Sequence, residues 1–154
     1  RKSLRDRALA HGTKSGRTPL PTRGVDSALK TEEALEDALK DAQSLAIELD
    51  LVVCMSGPTD WIVSRNRTAR IENGHALMSR VTGMGCVSTA LIAASAAVWP
   101  DPFEATVAGM VLTGVAGELA AADCQGPGSF QARFLDELYA LDAKKLQLAR
   151  VTLT

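Results

Sequence analysis

Two glycines stand immediately before an apolar helical stretch, in the run Gly83–Cys86. Glycine permits backbone conformations in which successive N–H groups turn toward one point, and the start of a helix adds partial positive charge there. Such a helix start can bind phosphate oxygens without a positive side chain. The same field favours a thiolate, so Cys86 is the cysteine with a physical reason to be reactive. An ordinary tight turn is the competing interpretation.

A second candidate for phosphate contact follows a short apolar run. Ser56-Gly57 comes directly after Leu51–Met55, which has the composition of a buried parallel strand. Loops at the carboxyl ends of parallel strands line ligand crevices in open α/β sheets. The Ser56 hydroxyl could therefore donate to a phosphate, and a capped turn is the alternative. Cys54, inside the strand, is expected to lie in the core.

The other chemically capable residues form weaker patterns. His75 could pair with Cys86 as in a thiol hydrolase, although a lone histidine beside Asn-Gly is typical of a solvated turn. Cys124 has no Cys-x-x-Cys or histidine spacing around it, and the sequence contains no zinc-binding set. A Rossmann loop is disfavoured because Leu77–Arg80, before the glycines, is a poor strand.

The residues between 31 and 71 predict an amphipathic helix followed by strands. Thr31 can cap this helix, the two glutamates after it complement the positive first turn, and an apolar stripe continues to Leu49. Because the stripe must be buried, we expect the helix to lie on a larger surface. Trp61–Ser64 and Thr68–Ile71 are strand-like and predict a hairpin region.

Three helices are predicted in the second half of the chain. Cys86–Val98 is small and apolar on nearly every side, so we expect it to be buried all round. The next helix begins at Asp101-Pro102, with an aspartate cap and a proline at its first position. It contains three glycines, each costing about 1 kcal/mol relative to alanine, and close approach to a neighbouring helix should compensate. These glycines are Gly109, Gly114 and Gly117. The last helix runs from about Phe130 toward Leu141, and the alternation of strands with helices predicts an α/β fold.

Length, charge and cysteine content limit the class of protein. The 154 residues suit one compact domain or half of a larger one, and a net charge of -1 gives no general attraction for nucleic acid or anionic lipid. A hydrophobic content of 46% excludes disorder over the whole length, and three cysteines favour reducing cytosol over a disulfide scaffold. Cys86–Pro100 and Ala105–Gly117 are each shorter than the roughly 20 residues of a membrane span. Since the first residue is Arg1 and not Met, we expect a fragment.

The beginning of the chain differs from the rest in charge. Its first 30 residues hold eight basic and two acidic residues, whereas the remainder is acidic on balance. Residues 1–22 show neither helical nor strand periodicity. A solvated tail is the simplest interpretation of this basic head. A transit peptide and a nucleic-acid arm are weaker alternatives, because no amphipathic face and no interleaved aromatic residues are present.

The run Asn73–Cys86 resembles the segment that identifies the hydroxyethylthiazole kinase family of thiamine salvage and biosynthesis. Similar strings occur in the family's order elsewhere, and the resemblance covers about Arg23 to Tyr139. These strings are Arg23–Ser27, Val53–Gly57, Asp101–Ala105 and Gly126–Phe130. The resemblance implies a ribokinase-like α/β fold, of which this chain would hold the C-terminal portion of the central sheet with its flanking helices. Residues 1–22 would then be the basic head, and 23–154 the C-terminal half of the kinase domain.

The resemblance also implies a reaction. The family uses ATP and Mg²⁺ to phosphorylate the primary alcohol of 4-methyl-5-(2-hydroxyethyl)thiazole, and it assembles as a trimer; the cytoplasm is the expected location. Cys86 matches the position proposed as base for the substrate alcohol, and Ser56 matches a threonine that touches ATP. Gly83, Met84 and Gly85 match the anion hole for the moving phosphoryl group, and Gly83 also matches a substrate-contacting position. No metal ligand is expected in this half, and no nucleic acid or membrane is expected as a partner.

The sequence also departs from the family pattern. Met84 stands where the family usually has threonine, which removes a hydroxyl and adds bulk beside the expected phosphate. Pro58 replaces a usual glutamate. The family chain is nearly twice as long, and its other half carries most of the thiazole site and part of the metal site. A catalytically silent fragment, or a subunit that acts only by association, is therefore the alternative to an active kinase.

Overall fold

The computed structural model describes residues 32–154. The expectations for the basic head, for Arg23–Ser27 and for a cap at Thr31 lie outside these residues. The elements in chain order are α1 Glu32–Leu49, β1 Val53–Met55, β2 Asp60–Val63, β3 Thr68–Ile71, a 3₁₀ helix Ala76–Arg80, α2 Met84–Ala96, α3 Pro102–Ala122, α4 Pro127–Tyr139, a second 3₁₀ helix Lys145–Leu148, and β4 Val151–Leu153.

The four strands form one sheet in the order β1-β2-β3-β4, and every neighbouring pair is antiparallel. Met55 of β1 pairs with Trp61 of β2, Asp60 of β2 pairs with Ile71 of β3, and Ile71 also pairs with Val151 of β4. This register brings the last residue of β1, the last residue of β3 and the first residue of β4 to the same end of the sheet. We call it the Ser56 end, because Ser56 directly follows β1 there.

The hairpin predicted for Trp61–Ser64 and Thr68–Ile71 is confirmed as β2 and β3. The prediction of a buried parallel strand at Leu51–Met55 is wrong within residues 32–154, since β1 has three residues and pairs antiparallel with β2. A short apolar run indicates burial without fixing the direction of the partner strand. The prediction that Cys54 lies in the core is also wrong, because the residue is exposed.

Helices cover both faces of the sheet. On one face, Ala42 and Ala46 of α1 pack against Val63, which confirms the surface expected beneath the amphipathic stripe. On the other face, Ile62 and its strand neighbours pack against Phe103 of α3. The described residues therefore form a layered α/β structure, as the alternation of elements predicts.

Helix α3 is the central helix of the domain and begins as predicted. Asp101 Oδ1 accepts hydrogen bonds from the backbone N–H groups of Phe103 at 2.8 Å and Glu104 at 3.3 Å. The helix has 21 residues, so the sequence estimate from Ala105–Gly117 understates its length. By length and composition it could cross a membrane, but 56% of its apolar window is buried within the domain, as in the core helix of a globular protein.

Close helix contact explains two of the costly glycines in α3. A Cβ at Gly109 would lie 2.6 Å from the Cα of Ile92 in α2, so this position requires the missing side chain. The approach of α2 to α3 confirms the expected compensation there. At Gly117 the neighbour is the thioether of Met78, which lies in the first 3₁₀ helix and not in an α-helix.

The prediction that the helix after Gly83 is buried all round is wrong within residues 32–154. Of α2, only Met84 and Ser95 are buried. The contacts of α2 are mainly with α3, on one side, and its other side is exposed. All four alanines of α2, namely Ala90, Ala93, Ala94 and Ala96, are exposed. A uniformly apolar composition allows a helix to be buried on every side, but the elements described here cover only one face of α2.

Candidate functional site

The first turn of α2 has the geometry of an anion-binding helix start. Gly83 is the N-cap residue, with a φ of 96° in the left-handed region that glycine adopts without steric cost. The carbonyl of Gly83 accepts the N–H of Val87 at 3.0 Å, which begins the helix. Since the first N–H groups of a helix have no intrahelical acceptor, those of Met84, Gly85 and Cys86 remain available. Within residues 32–154, no acceptor occupies them. We call Gly83–Cys86 the amide turn.

The side chains of the amide turn face two directions. Cys86 is exposed. Met84 is buried and packs with Val81, Ala116 and Phe130 between α3 and α4. Two residues apart on a helix correspond to a rotation of about 200°, so the two side chains lie on opposite faces. The amide of Met84 thus belongs to the turn and its side chain packs in the core, while the expected bulk beside a phosphate stays a prediction.

The Ser56 loop is held by a buried carboxylate. Ser56 is exposed, and the N–H of Gly57 donates to Oδ1 of Asp60 at 2.9 Å. Asp60 is only 6% exposed, and burial raises the pKa of its carboxyl to about 6 against the lowering effect of the Gly57 hydrogen bond. Loss of solvent around the Cys54 sulfur, together with the charge of Asp60, raises the pKa of that thiol to about 12. Cys54 is thus a poor nucleophile although the residue as a whole is exposed.

Sequence reasoning did not identify Asp60. A lone acidic residue at the first position of a short apolar strand is the signal that could have located it, because carboxylates are seldom buried without a role or a partner.

A second polar cluster fixes the segment that leads to the amide turn. Glu118 of α3 accepts hydrogen bonds from Gly74 N–H at 2.9 Å and from Asn73 Nδ2 at 3.0 Å, and its carboxylate pairs with the Arg150 guanidinium. Asn73 is 3% exposed, and its Oδ1 accepts the N–H of Arg150 at 2.6 Å. We call Asn73, Gly74, Glu118 and Arg150 the Glu118 clamp.

The clamp keeps Glu118 ionised. Burial acts to raise the pKa of Glu118, but hydrogen bonds from Arg150, Gly74 and Asn73 outweigh burial and lower it. Sequence reasoning also missed this residue. Its signal was a charged residue late in a helix that carries no other charge after Glu104, at a place where an unpaired carboxylate would be costly.

His75 has a local structural contact. Its Nδ1 accepts the N–H of Leu77 at 3.2 Å, which caps the first 3₁₀ helix, and the residue is exposed. Among the described residues no hydrogen bond joins His75 to Cys86, so the geometry does not supply the pair that a thiol hydrolase needs. Cys124 is half-buried and packs against the core cluster around Phe130.

The amide turn and Ser56 lie at the same end of the domain. Helices α2 and α3 are antiparallel, since Ile92 approaches Gly109 while Met84 packs with Ala120 farther along α3. Glu118, two residues before Ala120, pairs with Arg150, which directly precedes β4 at the Ser56 end. No hydrogen bond in the described part of the chain joins Ser56 directly to the amide turn.

An apolar groove lies elsewhere on the described residues. It encloses about 520 Å³ at the opposite end of the sheet, where Trp99, Phe103 and Leu153 form an apolar lining beside Arg67. None of the predicted site residues contributes to it. Residues 32–154 also contain no cluster of three His, Cys, Asp or Glu side chains that could hold a metal ion.

Comparison with known proteins gives one consistent family. The model of the Hydroxyethylthiazole kinase family matches residues 13–144. The hydroxyethylthiazole kinase of Granulibacter bethesdensis is 50% identical over 125 residues, which cover 81% of this chain and 44% of that protein. The enzyme of the same name from Desulfotalea psychrophila is 41% identical over 126 residues, which cover 82% of this chain and 45% of the relative.

A solved structure agrees with these relatives. The hydroxyethylthiazole kinase of Pyrococcus horikoshii OT3 superposes with a TM-score of 0.74 at 34% sequence identity, over 79% of this chain and 48% of that chain. The chain thus spans about half the length of the curated relatives that it matches. The matched region includes Ser56 and the whole amide turn.

Proposed function

The chain belongs to the hydroxyethylthiazole kinase family, and we propose that it serves the transfer of the γ-phosphate of ATP to the alcohol of 4-methyl-5-(2-hydroxyethyl)thiazole. The observation that carries the proposal is the amide turn, where three N–H groups have no acceptor among residues 32–154 and lie beside the exposed Cys86. A ribokinase-like arrangement of the whole enzyme, a trimer and a cytoplasmic location belong to the same proposal. They rest on the family resemblance.

The proposed mechanism uses charge stabilisation and positioning. In phosphoryl transfer, negative charge spreads over the equatorial oxygens while the attacking and leaving oxygens lie roughly in line. The amides of Met84, Gly85 and Cys86 donate to those oxygens and need no reorganisation, because the helix already fixes them. Cys86 acts as the general base, and its sulfur accepts the proton of the alcohol as the alcohol oxygen bonds to phosphorus and ADP leaves. The Ser56 hydroxyl donates to ATP.

Magnesium, which the family resemblance implies, does not fit the described residues alone. Three acidic or histidine ligands do not converge anywhere in residues 32–154. Asp60 is the buried carboxylate nearest to Ser56 in sequence, and it already accepts a hydrogen bond from the N–H of Gly57. The proposed mechanism therefore contains no step at the ion.

Turnover by cysteine variants tests the proposal. The purified chain, given MgATP and the thiazole alcohol, should release ADP. Cys86→Ala should lower turnover about 100-fold while the affinity for ATP stays unchanged, since a general base contributes to the chemical step. Cys54→Ala is the matched control, because the desolvated thiol of Cys54 is a poor nucleophile, and it should retain full turnover. Equal loss of turnover and ATP affinity in Cys86→Ala would assign Cys86 a structural role.

A subunit that acts only by association is the second candidate. The observation that favours it is the exposed apolar side of α2, together with a span of about half the length of the relatives. Its test adds the first half of the Granulibacter bethesdensis relative, expressed separately. ADP release only in the mixture supports association, whereas sustained release by this chain alone contradicts it.

A further inference from the structure

We propose that Glu118 is a positioning residue for the amide turn, acting through Gly74 and held in place by Arg150. The residue touches neither the turn nor any proposed substrate position, and it acts through the segment between Gly74 and Gly83. The inference rests on the proposed function only in taking the amide turn as the phosphate site. The positioning of the amide turn by Glu118 is a property of the fold and does not depend on which ligand the turn binds.

The contacts of Glu118 are directional. One carboxylate oxygen accepts the Gly74 N–H at 2.9 Å, and the other accepts Asn73 Nδ2 at 3.0 Å. Gly74 has a φ of 137°, a conformation that side-chain-bearing residues rarely adopt. Hydrogen bonds to an ionised acceptor are shorter and stronger than neutral ones, so the carboxylate holds this turn in one orientation.

Beyond Gly74, the contacts that the structure describes between this segment and α3 are apolar. Met78 of the first 3₁₀ helix packs on Gly117, and Val81 and Met84 enter the core cluster with Ala116. Apolar packing keeps these side chains buried, but it is not directional and does not by itself fix the rotation of the backbone. Within the described residues, Glu118 therefore supplies the directional link between α3 and the start of this segment.

The clamp also ties the segment to the end of the chain. Arg150 donates to Glu118 through its guanidinium, to Asn73 Oδ1 through its backbone N–H at 2.6 Å, and to the carbonyl of Glu72 at 2.5 Å. Asn73 Nδ2 donates in addition to the carbonyl of Leu148 at 3.0 Å. The residues just before β4 thus hold the turn together with α3.

A matched pair of glutamate variants tests the proposal in the full 154-residue chain. Glu118→Gln removes the charge that binds Arg150. Glu137→Gln is the control, because Glu137 also pairs with a cation, Lys145, and both glutamate side chains are 22% exposed. Two readouts report on the amide turn: hydrogen exchange of the Met84, Gly85 and Cys86 amides, and the rate of Cys86 labelling in a Cys54→Ser, Cys124→Ser background. MgATP binding is followed by amide shifts of the same residues.

Glu118→Gln should change the exchange and labelling rates of the amide turn about tenfold and weaken MgATP binding about tenfold, as expected for loss of a charge-assisted hydrogen bond. Glu137→Gln should leave all three unchanged, whatever it does to the midpoint of unfolding. Arg150→Ala, which keeps the Gly74 contact, should shift the same readouts by a smaller factor, and it decides the matter if Glu118→Gln does not fold.

Equal effects of the two glutamate variants on exchange and labelling, or no effect of Arg150→Ala where Glu118→Gln fails to fold, would overturn the positioning role. Failure of the proposed function looks different. In that case MgATP would not shift the amide turn in the unaltered chain, while the difference between Glu118→Gln and Glu137→Gln in exchange would persist.

Discussion

Gly114 of α3 lies directly against Asn73: a Cβ built on Gly114 would stand 2.7 Å from the Cβ of Asn73 and 2.9 Å from its carbonyl oxygen. A glycine inside a helix costs about 1 kcal/mol relative to alanine, and this contact is the reason that it is tolerated. The missing side chain lets the buried Asn73 come close enough for its amide to reach Glu118 on the same helix.

Gly114→Ala should therefore destabilise the domain by about 1–3 kcal/mol, because an added methyl must displace backbone in a packed site. The free energy of unfolding in urea measures this. Gly128→Ala is the control: Gly128 lies in α4 with no atom within 4 Å of its would-be Cβ, so alanine should stabilise by up to about 1 kcal/mol. Equal stabilisation by both variants would show that the contact with Asn73 relaxes freely.

Gly83→Ala tests the backbone of the amide turn. There is open space around Gly83, so the cost comes from its φ of 96° and should be about 1–2 kcal/mol. We also expect weaker MgATP binding, because relief of the strain rotates the first amides of α2. Gly126→Ala is the matched control, since Gly126 also precedes a helix but has an extended φ of 171°. Unchanged binding in Gly83→Ala would mean that the turn tolerates side chains and is not specialised.

Met84→Thr separates the core role of this residue from a role at the phosphate site. Threonine is the residue that the family resemblance leads one to expect at this position, but here the side chain packs with Val81 and Phe130. Replacing it with a smaller, polar side chain should cost about 2 kcal/mol of unfolding free energy and leave MgATP affinity unchanged. A gain in ATP affinity would show that the side chain at position 84 faces the nucleotide.

The sequence predicts the local elements of this fold well, because their signals are local. The Asp101 cap, the stripe of α1 and the hairpin at β2 and β3 each follow from neighbouring residues. The direction of pairing at β1 and the exposed side of α2 do not follow from neighbouring residues, because they depend on which other elements pack against β1 and α2.

The candidate site likewise has one part that the sequence predicts and another that it does not. Glycines before a helix indicate a turn with available amides, and such a turn is present. The Glu118 clamp joins residues 45 and 32 positions apart, and no local pattern connects them. β4 and the short helix before it were not predicted either, because a strand of three residues carries little periodic signal.

The carboxyl of Asp60 should make stability depend on pH. Its pKa is about 6 in the folded chain against an ordinary value of 3.8, so the folded state holds the proton more tightly. The corresponding stability is fully present below about pH 4 and is lost as the pH rises through 6. An asparagine side chain at this position would keep the acceptor for Gly57 without a charge. We therefore expect Asp60→Asn to raise the free energy of unfolding in urea at pH 7.5 by at most about 3 kcal/mol. At pH 4 the variant and the parent should have nearly the same free energy of unfolding.

Asp101→Asn should change the free energy of unfolding at pH 7.5 in the opposite direction. It therefore controls for general effects of removing a negative charge. The hydrogen bond from Arg67 lowers the pKa of Asp101, with smaller contributions from the amides that it caps. Its stabilisation is present above the ordinary pKa and is lost as the pH falls. Asp101→Asn should thus destabilise at pH 7.5 and have less effect at low pH. If Asp60→Asn followed this direction instead, the negative charge of Asp60 would have to stabilise the folded state at neutral pH, and the Ser56 loop would depend on that charge.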